Sequence, residues 1–368
     1  FLPEKGKVRE KRCAVEAKYD TMISVKKSRA VKGIAILLMI VHHTFGLPGQ
    51  WFEEGYGYGQ TLIGGRPLYE WVANPTKLCV GLFAFLTGWA YCVHGTQTLR
   101  YGIHKTWKLF LQYWWLLFFL FVPLSFLISG YRMNRWEFFY NVFCLNDRMI
   151  CFSWYVLFYG LCICTLPLLS RLTTGRVQWD LLLLTAVFAL LYRVVEQQQF
   201  SRWYLQEVIK DYLYWMPVVW VGFWAARYRM FSFCRERFGM WKKGWYVLLF
   251  AGMMVLRGVC CELFGLNLDV IYAPVAVFCL VSLLPEQGLT QRLIDWLGSY
   301  SLYIWLIHSL FFFSGTRSFF QPLVYGCRLP FLTPVLILVN STLFAWIYKR
   351  IWNDLETGFQ RLIKRGGK

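Results

Sequence analysis

Long apolar runs recur along almost the whole chain, and the connections between them carry most of its charge. A helix that crosses a bilayer needs about 20 mostly apolar residues. Ten runs approach that length: roughly 29–45, 76–93, 106–128, 154–169, 179–195, 212–226, 244–259, 266–284, 299–314 and 330–347. The backbone of such a run finds no water to bond to, so it must satisfy itself as a helix. The expected fold class is all-α, a polytopic membrane protein of about ten transmembrane helices. Composition agrees. Only 16% of residues are charged, where soluble domains carry about 25%. The first, fourth, sixth and seventh runs are short, which suggests broken or tilted helices there.

The net charge of +19 could suggest a nucleic-acid partner. Its distribution argues against one, because the basic residues lie between apolar runs rather than on a soluble face. Lys26, Lys27, Arg29 and Lys32 precede or open the first run. Arg100, Lys105 and Lys108 lie between the second and third, and Arg227, Arg229, Arg235, Arg237, Lys242 and Lys243 between the sixth and seventh. Arg361, Lys364, Arg365 and Lys368 close the chain. With ten spans all of these fall on one side, and the positive-inside bias makes both termini cytoplasmic. The expected organisation is a basic cytosolic tail over 1–28, a membrane domain over 29–350 and a second basic tail over 351–368. The first residues are charged and do not read as a signal peptide. The connection Gly46–Pro75 is rich in Gly, Pro, Trp and Tyr, which suits a lipid interface or a sugar face. Most of the twelve cysteines sit in or beside apolar runs without CxxC spacing, so buried thiols are expected and no metal site.

Ionisable groups within spans are rare and tend to be functional. The clearest are His42, His43 and His308. In VKGIAILLMIVHHTFG, Lys32 and His43 are eleven residues apart. On a helix that is close to three turns, about 16 Å of rise, so both lie on one face. His42 points about 100° away from His43. In GSYSLYIWLIHSLFFF, His308 lies ten residues from Gly298, about 15 Å along a helix. His43 and His308 thus reach similar depth from one side. A neutral imidazole there can take a proton from a hydroxyl. A basic rim about 16 Å away can hold phosphates. Acyl-coenzyme A, with an anionic nucleotide at one end and a thioester at the other, fits both. Lys32, Arg100, Lys105 and Lys108 are the candidate donor-binding residues. The bland alternatives stay open: positive-inside anchors for the lysines, and polar groups satisfied by a neighbouring helix for the histidines.

These residues resemble the bacterial integral-membrane O-acyltransferases of acyltransferase family three. The first span carries the family's basic residue, ten others and a histidine, here Lys32 and His43. Lys stands where the family often has Arg, and an ammonium does not grip phosphate bidentately. VGLFAFLTGWAY resembles the family's Phe-rich segment ending in Ser-Gly, with Thr87-Gly88 in its place. HKTWKLFLQYWW resembles its paired basic residues through Lys105 and Lys108, and FSWYVLFYGL its Trp-Tyr motif through Trp154 and Tyr155. GSYSLYIWLIH resembles its late segment through Ser301, Tyr303 and His308.

The resemblance implies transfer of an acyl group, commonly acetyl, from cytosolic acyl-coenzyme A to a hydroxyl. The acceptor would be a sugar or glycan of the cell envelope, and the location the bacterial inner membrane. The donor is a substrate, and no permanently bound cofactor is expected. His43 and His308 are the expected catalytic residues, with His42 as a second histidine beside them. Tyr155, Trp154, Tyr303, Ser301 and Thr87 are candidate oxyanion or acceptor contacts. His43 either acts as general base or carries the acyl group itself. The rival reading is a transporter or flippase of a lipid-linked glycan, which would move substrate without consuming acyl-coenzyme A.

Overall fold

The structure, a computed structural model, describes residues 19–47, 62–94, 98–145, 149–198, 203–238, 241–265 and 268–366. Residues 1–18 of the expected tail and 48–61 of the aromatic connection lie outside them.

Each of the ten apolar runs overlaps a helix among the described residues. The first is α1 (Val25–Phe45), which opens on a Ser24 side chain that accepts from the Lys27 amide. A short hairpin, β1 (Leu62–Ile63) and β2 (Arg66–Pro67), leads into α2 (Leu68–Thr76) and α3 (Leu78–Val93). α4 (Leu99–Ser129) is followed by α5 (Arg135–Val142), α6 (Trp154–Leu169) and α7 (Val177–Gln197). Next come α8 (Trp203–Arg227), α9 (Met230–Phe238) and α10 (Lys243–Phe264). The chain closes with α11 (Asp269–Leu283), α12 (Leu289–Ser299), α13 (Ser301–Ile307), α14 (Arg317–Tyr325) and α15 (Thr333–Gly366). Among the described residues, five helical stretches are long and apolar enough to cross a membrane: Leu68–Val93, Leu99–Ser129, Trp154–Leu172, Gln178–Gln197 and Lys243–Phe264.

Two crossings rest on paired glycines. A Cβ on Gly88 would collide with the Val219 carbonyl, and one on Gly222 with the Phe85 carbonyl. α3 and α8 therefore meet backbone to backbone, as small residues permit in a bilayer where packing rather than hydrophobicity drives association. Gly33 and Gly298 do the same for α1 and α12, against the carbonyls of Ile294 and Arg29. That contact fixes the rotation of α1 one residue from Lys32. Around these crossings lies a core of large side chains, including Phe85, Tyr113, Phe121, Trp220 and Trp224.

The breaks fall elsewhere than expected. The first, sixth and seventh runs are helices of 21, 25 and 22 residues, because polar residues flanking each apolar run continue the helix. The irregular runs are instead the second, third and ninth, the last passing from helix Ser301–Ile307 into a 3-10 turn over His308–Phe311. In α4, residues Leu117–Phe121 form a π-helical turn just before Pro123. Proline has no N–H for the carbonyl four residues back. That carbonyl, on Phe119, accepts from the Tyr348 hydroxyl at 3.1 Å. Between α2 and α3 the helix breaks after Pro75. The Ala73 carbonyl accepts from His42 Nδ1 at 2.8 Å and from Thr76 Oγ1 at 2.8 Å. The Asn74 carbonyl accepts from Arg257 Nη1. Arg257 in turn grips Asp269 with both arms, at 2.7 and 2.9 Å, and both side chains are buried.

The N-terminal segment joins the bundle before residue 28. Asp20 is fully buried and accepts from the Ser232 amide and hydroxyl, each at 2.9 Å, near the start of α9. At the other end α15 continues as one helix well past residue 350.

Candidate active site

Five helices enclose a cavity of about 310 Å³. α1 contributes Lys32, Met39 and His43 at spacings of seven and four, one face of the helix. α3 contributes Val80, Phe83 and Thr87, and α4 contributes Lys105, Lys108, Leu109 and Gln112, each at helical spacing. Phe152, Trp154, Tyr155 and Tyr159 come from the turn before α6 and from α6 itself, and Ser301 and Trp305 from α13. The cavity is basic at one end and apolar along its middle. His43 lies about 16 Å along α1 from Lys32.

The basic end has cations to spare. Among the described residues neither Lys32 nor Lys105 pairs with a carboxylate, and the Lys105 ammonium lies 5.5 Å from the Tyr101 ring centre. Lys108 is paired: its ammonium meets Glu356 of α15 at 2.8 Å. Arg100 is exposed in the first turn of α4 and does not line the cavity.

At the other end, His43 is 9% exposed and His308 fully buried. His43 Nδ1 and His308 Nε2 are 2.8 Å apart. The other nitrogen of His308, Nδ1, bonds the Trp305 carbonyl. A carbonyl oxygen can only accept, so His308 carries its proton on Nδ1 and its Nε2 is an acceptor. His43 must then donate from Nδ1. In the neutral pair this leaves the lone pair of His43 on Nε2. His43 lines the cavity and His308 does not, so His308 stands behind His43. His42, on the next residue of α1, faces α2 and is bonded to Ala73.

The remaining expected residues divide. Thr87, Trp154, Tyr155 and Ser301 line the cavity. The Thr87 hydroxyl donates to the Phe83 carbonyl at 2.9 Å, so its proton is committed. The Tyr155 hydroxyl is buried near that of Thr87. Tyr303 is buried but is not part of the lining. Sequence reasoning missed Gln112 and Phe152. Gln112 was legible, since it follows Lys105 and Lys108 at spacings of seven and four. Phe152 had no local signal, because it lies in an irregular turn. Among the described residues no cluster of three His, Cys, Asp or Glu could hold a metal ion.

A family model described as an acyltransferase domain, that of acyltransferase family 3, matches residues 27–350. The chain belongs to acyltransferase family 3. Members of the family are acyltransferases, and the apolar helices make this one a multi-pass membrane acyltransferase. No curated protein and no solved structure matches the chain. The family match ends within α15, so Glu356, the partner of Lys108, lies beyond the matched segment of this acyltransferase.

Proposed function

We propose that this protein moves an acyl group, acetyl in the simplest case, from cytosolic acyl-coenzyme A to a hydroxyl of an envelope sugar or glycan. The observation that carries the reading is one cavity with Lys32 and Lys105, neither paired with a carboxylate among the described residues, at one end and His43, whose Nδ1 is bonded to His308, at the other. Ten spans with both termini in the cytosol would put the basic end where the donor is made. The chain then belongs in a bacterial inner membrane, with acceptor and lipid as its partners and no nucleic acid.

Lys32, Lys105 and Lys108 hold the donor's phosphates as point charges. The pantetheine arm follows the apolar middle of the cavity, with the Gln112 amide beside it. The acceptor hydroxyl gives its proton to His43 Nε2 while its oxygen attacks the thioester carbonyl. The tetrahedral intermediate collapses by breaking the carbon–sulfur bond. The proton on Nε2 then neutralises the departing thiolate. Tyr155 is the hydroxyl available to the oxyanion. His308 accepts from Nδ1 throughout and stabilises the imidazolium. In the two-step alternative, Nε2 attacks the thioester first and an acyl-imidazole carries the group to the acceptor.

The test is coenzyme A thiol release from acetyl-coenzyme A in membrane vesicles containing the protein. His43→Ala should abolish release and still bind acetyl-coenzyme A by calorimetry. Full activity in that variant would overturn the reading. A transporter would move glycan with no thiol released.

A further inference from the structure

Among the described residues, four other than glycine have positive φ: Cys144, Phe152, Arg229 and Arg328. Only Phe152, at φ 69°, lines the cavity. An aromatic residue in the left-handed region is strained, and such strain persists only where its surroundings enforce it. Here two bonds do so. The Cys151 carbonyl accepts from Ser309 Oγ at 2.7 Å, and the Met149 amide donates to Asn141 Oδ1 at 3.2 Å. Ser309 is the neighbour of His308, so the turn that bears Phe152 is bolted to the turn that bears the His43 partner.

The strained backbone lays the Phe152 ring flat on His43. Their centroids are 3.7 Å apart and their planes differ by 7°. The hydrogen bond to His308 holds one nitrogen of His43, but its angular slack still lets the ring tip. The stack removes this freedom, and Phe312 closes the edge at 6.5 Å. With plane and Nδ1 both fixed, Nε2 has one direction. The π-face also gains attraction when the imidazole takes a proton and becomes a cation. That gain appears only as the reaction proceeds, so it accelerates the step.

We propose that Phe152 is a positioning residue that holds the plane of His43 for the transfer step and stabilises the imidazolium that forms. The proposal rests on His43 being the group that reacts. Three variants test it: Phe152→Gly relieves the backbone and removes the ring, Phe152→Leu keeps bulk without a π-face, and Phe152→Tyr keeps the ring. Folding is followed by thermal unfolding, donor affinity by calorimetry with acetyl-coenzyme A, and kcat and KM by thiol release in vesicles.

The expected result is a folded Gly variant with donor affinity nearly unchanged and kcat lowered by about 100-fold, the effect of a misplaced reacting group. Leu should resemble Gly, and Tyr should recover most of the wild-type kcat. A folded Gly or Leu variant with wild-type kcat would overturn the proposal. So would loss of donor affinity at unchanged kcat, which would make Phe152 a donor contact. His43→Ala runs alongside. If it stays active, the reading of His43 fails and Phe152 with it. If it is dead while Phe152→Gly equals wild type, the Phe152 proposal alone fails.

Discussion

His43 Nδ1 donates to His308 Nε2 across 2.8 Å, and His308 is itself anchored to the Trp305 carbonyl. Two residues 265 positions apart thus determine which nitrogen of His43 is basic. His308→Ala should lower transfer by about 100-fold or more, as loss of an orienting partner does. His308→Gln, which can offer a carbonyl oxygen to Nδ1, should recover part of it. Donor affinity should stay unchanged in both, measured by calorimetry against thiol-release rates.

Lys32 and Lys105 line the cavity without a carboxylate partner among the described residues. Replacing either by Ala should weaken acetyl-coenzyme A binding by about tenfold, the scale of one charge-assisted phosphate contact. The loss should shrink as salt is raised, because screening already weakens the contact. An affinity independent of salt would remove both residues from the donor's phosphates.

Glu356 meets Lys108 at 2.8 Å and, on the proposed function, would compete with the donor for it. Both partners are partly exposed, so the pair itself adds little to stability. Glu356→Gln should leave thermal unfolding unchanged and tighten acetyl-coenzyme A binding by about two- to fivefold, as removal of one nearby negative charge does. Weaker binding would instead mean that Glu356 orders the entrance.

The Arg257–Asp269 pair has side chains 1% and 2% exposed, and it holds the Asn74 carbonyl where α2 breaks from α3. Asp269→Asn takes a two-armed carboxylate contact from a buried guanidinium, and the expected loss of stability is about 3–5 kcal/mol. Thermal unfolding in detergent checks this. Any surviving folded protein should bind the donor normally, since neither residue lines the cavity.

The features legible in the sequence are those carried by one helix at a time. The apolar runs marked the helices, and the Lys32 to His43 spacing placed both residues on one cavity face. Lys105 and Lys108 lay on another such face. What stayed hidden needs two distant segments or an irregular turn. The bond between His43 and His308 could be read only as similar depth. Phe152 reaches His43 through a left-handed backbone that no periodicity announces. Tyr303 shares the helix of Ser301, yet two residues turn it about 200° away, so it is buried outside the lining. The helix breaks followed Pro75 and Pro123 rather than run length, and carbonyls at both breaks accept from other helices: Ala73 from His42, Asn74 from Arg257 and Phe119 from Tyr348.

α15 runs on past the end of the family match and carries Glu356 back to the rim of the cavity. A chain truncated after residue 350 would keep every matched residue and still leave Lys108 at the cavity rim without its carboxylate Glu356. For this protein the family match therefore stops short of a contact made at the rim of its own cavity.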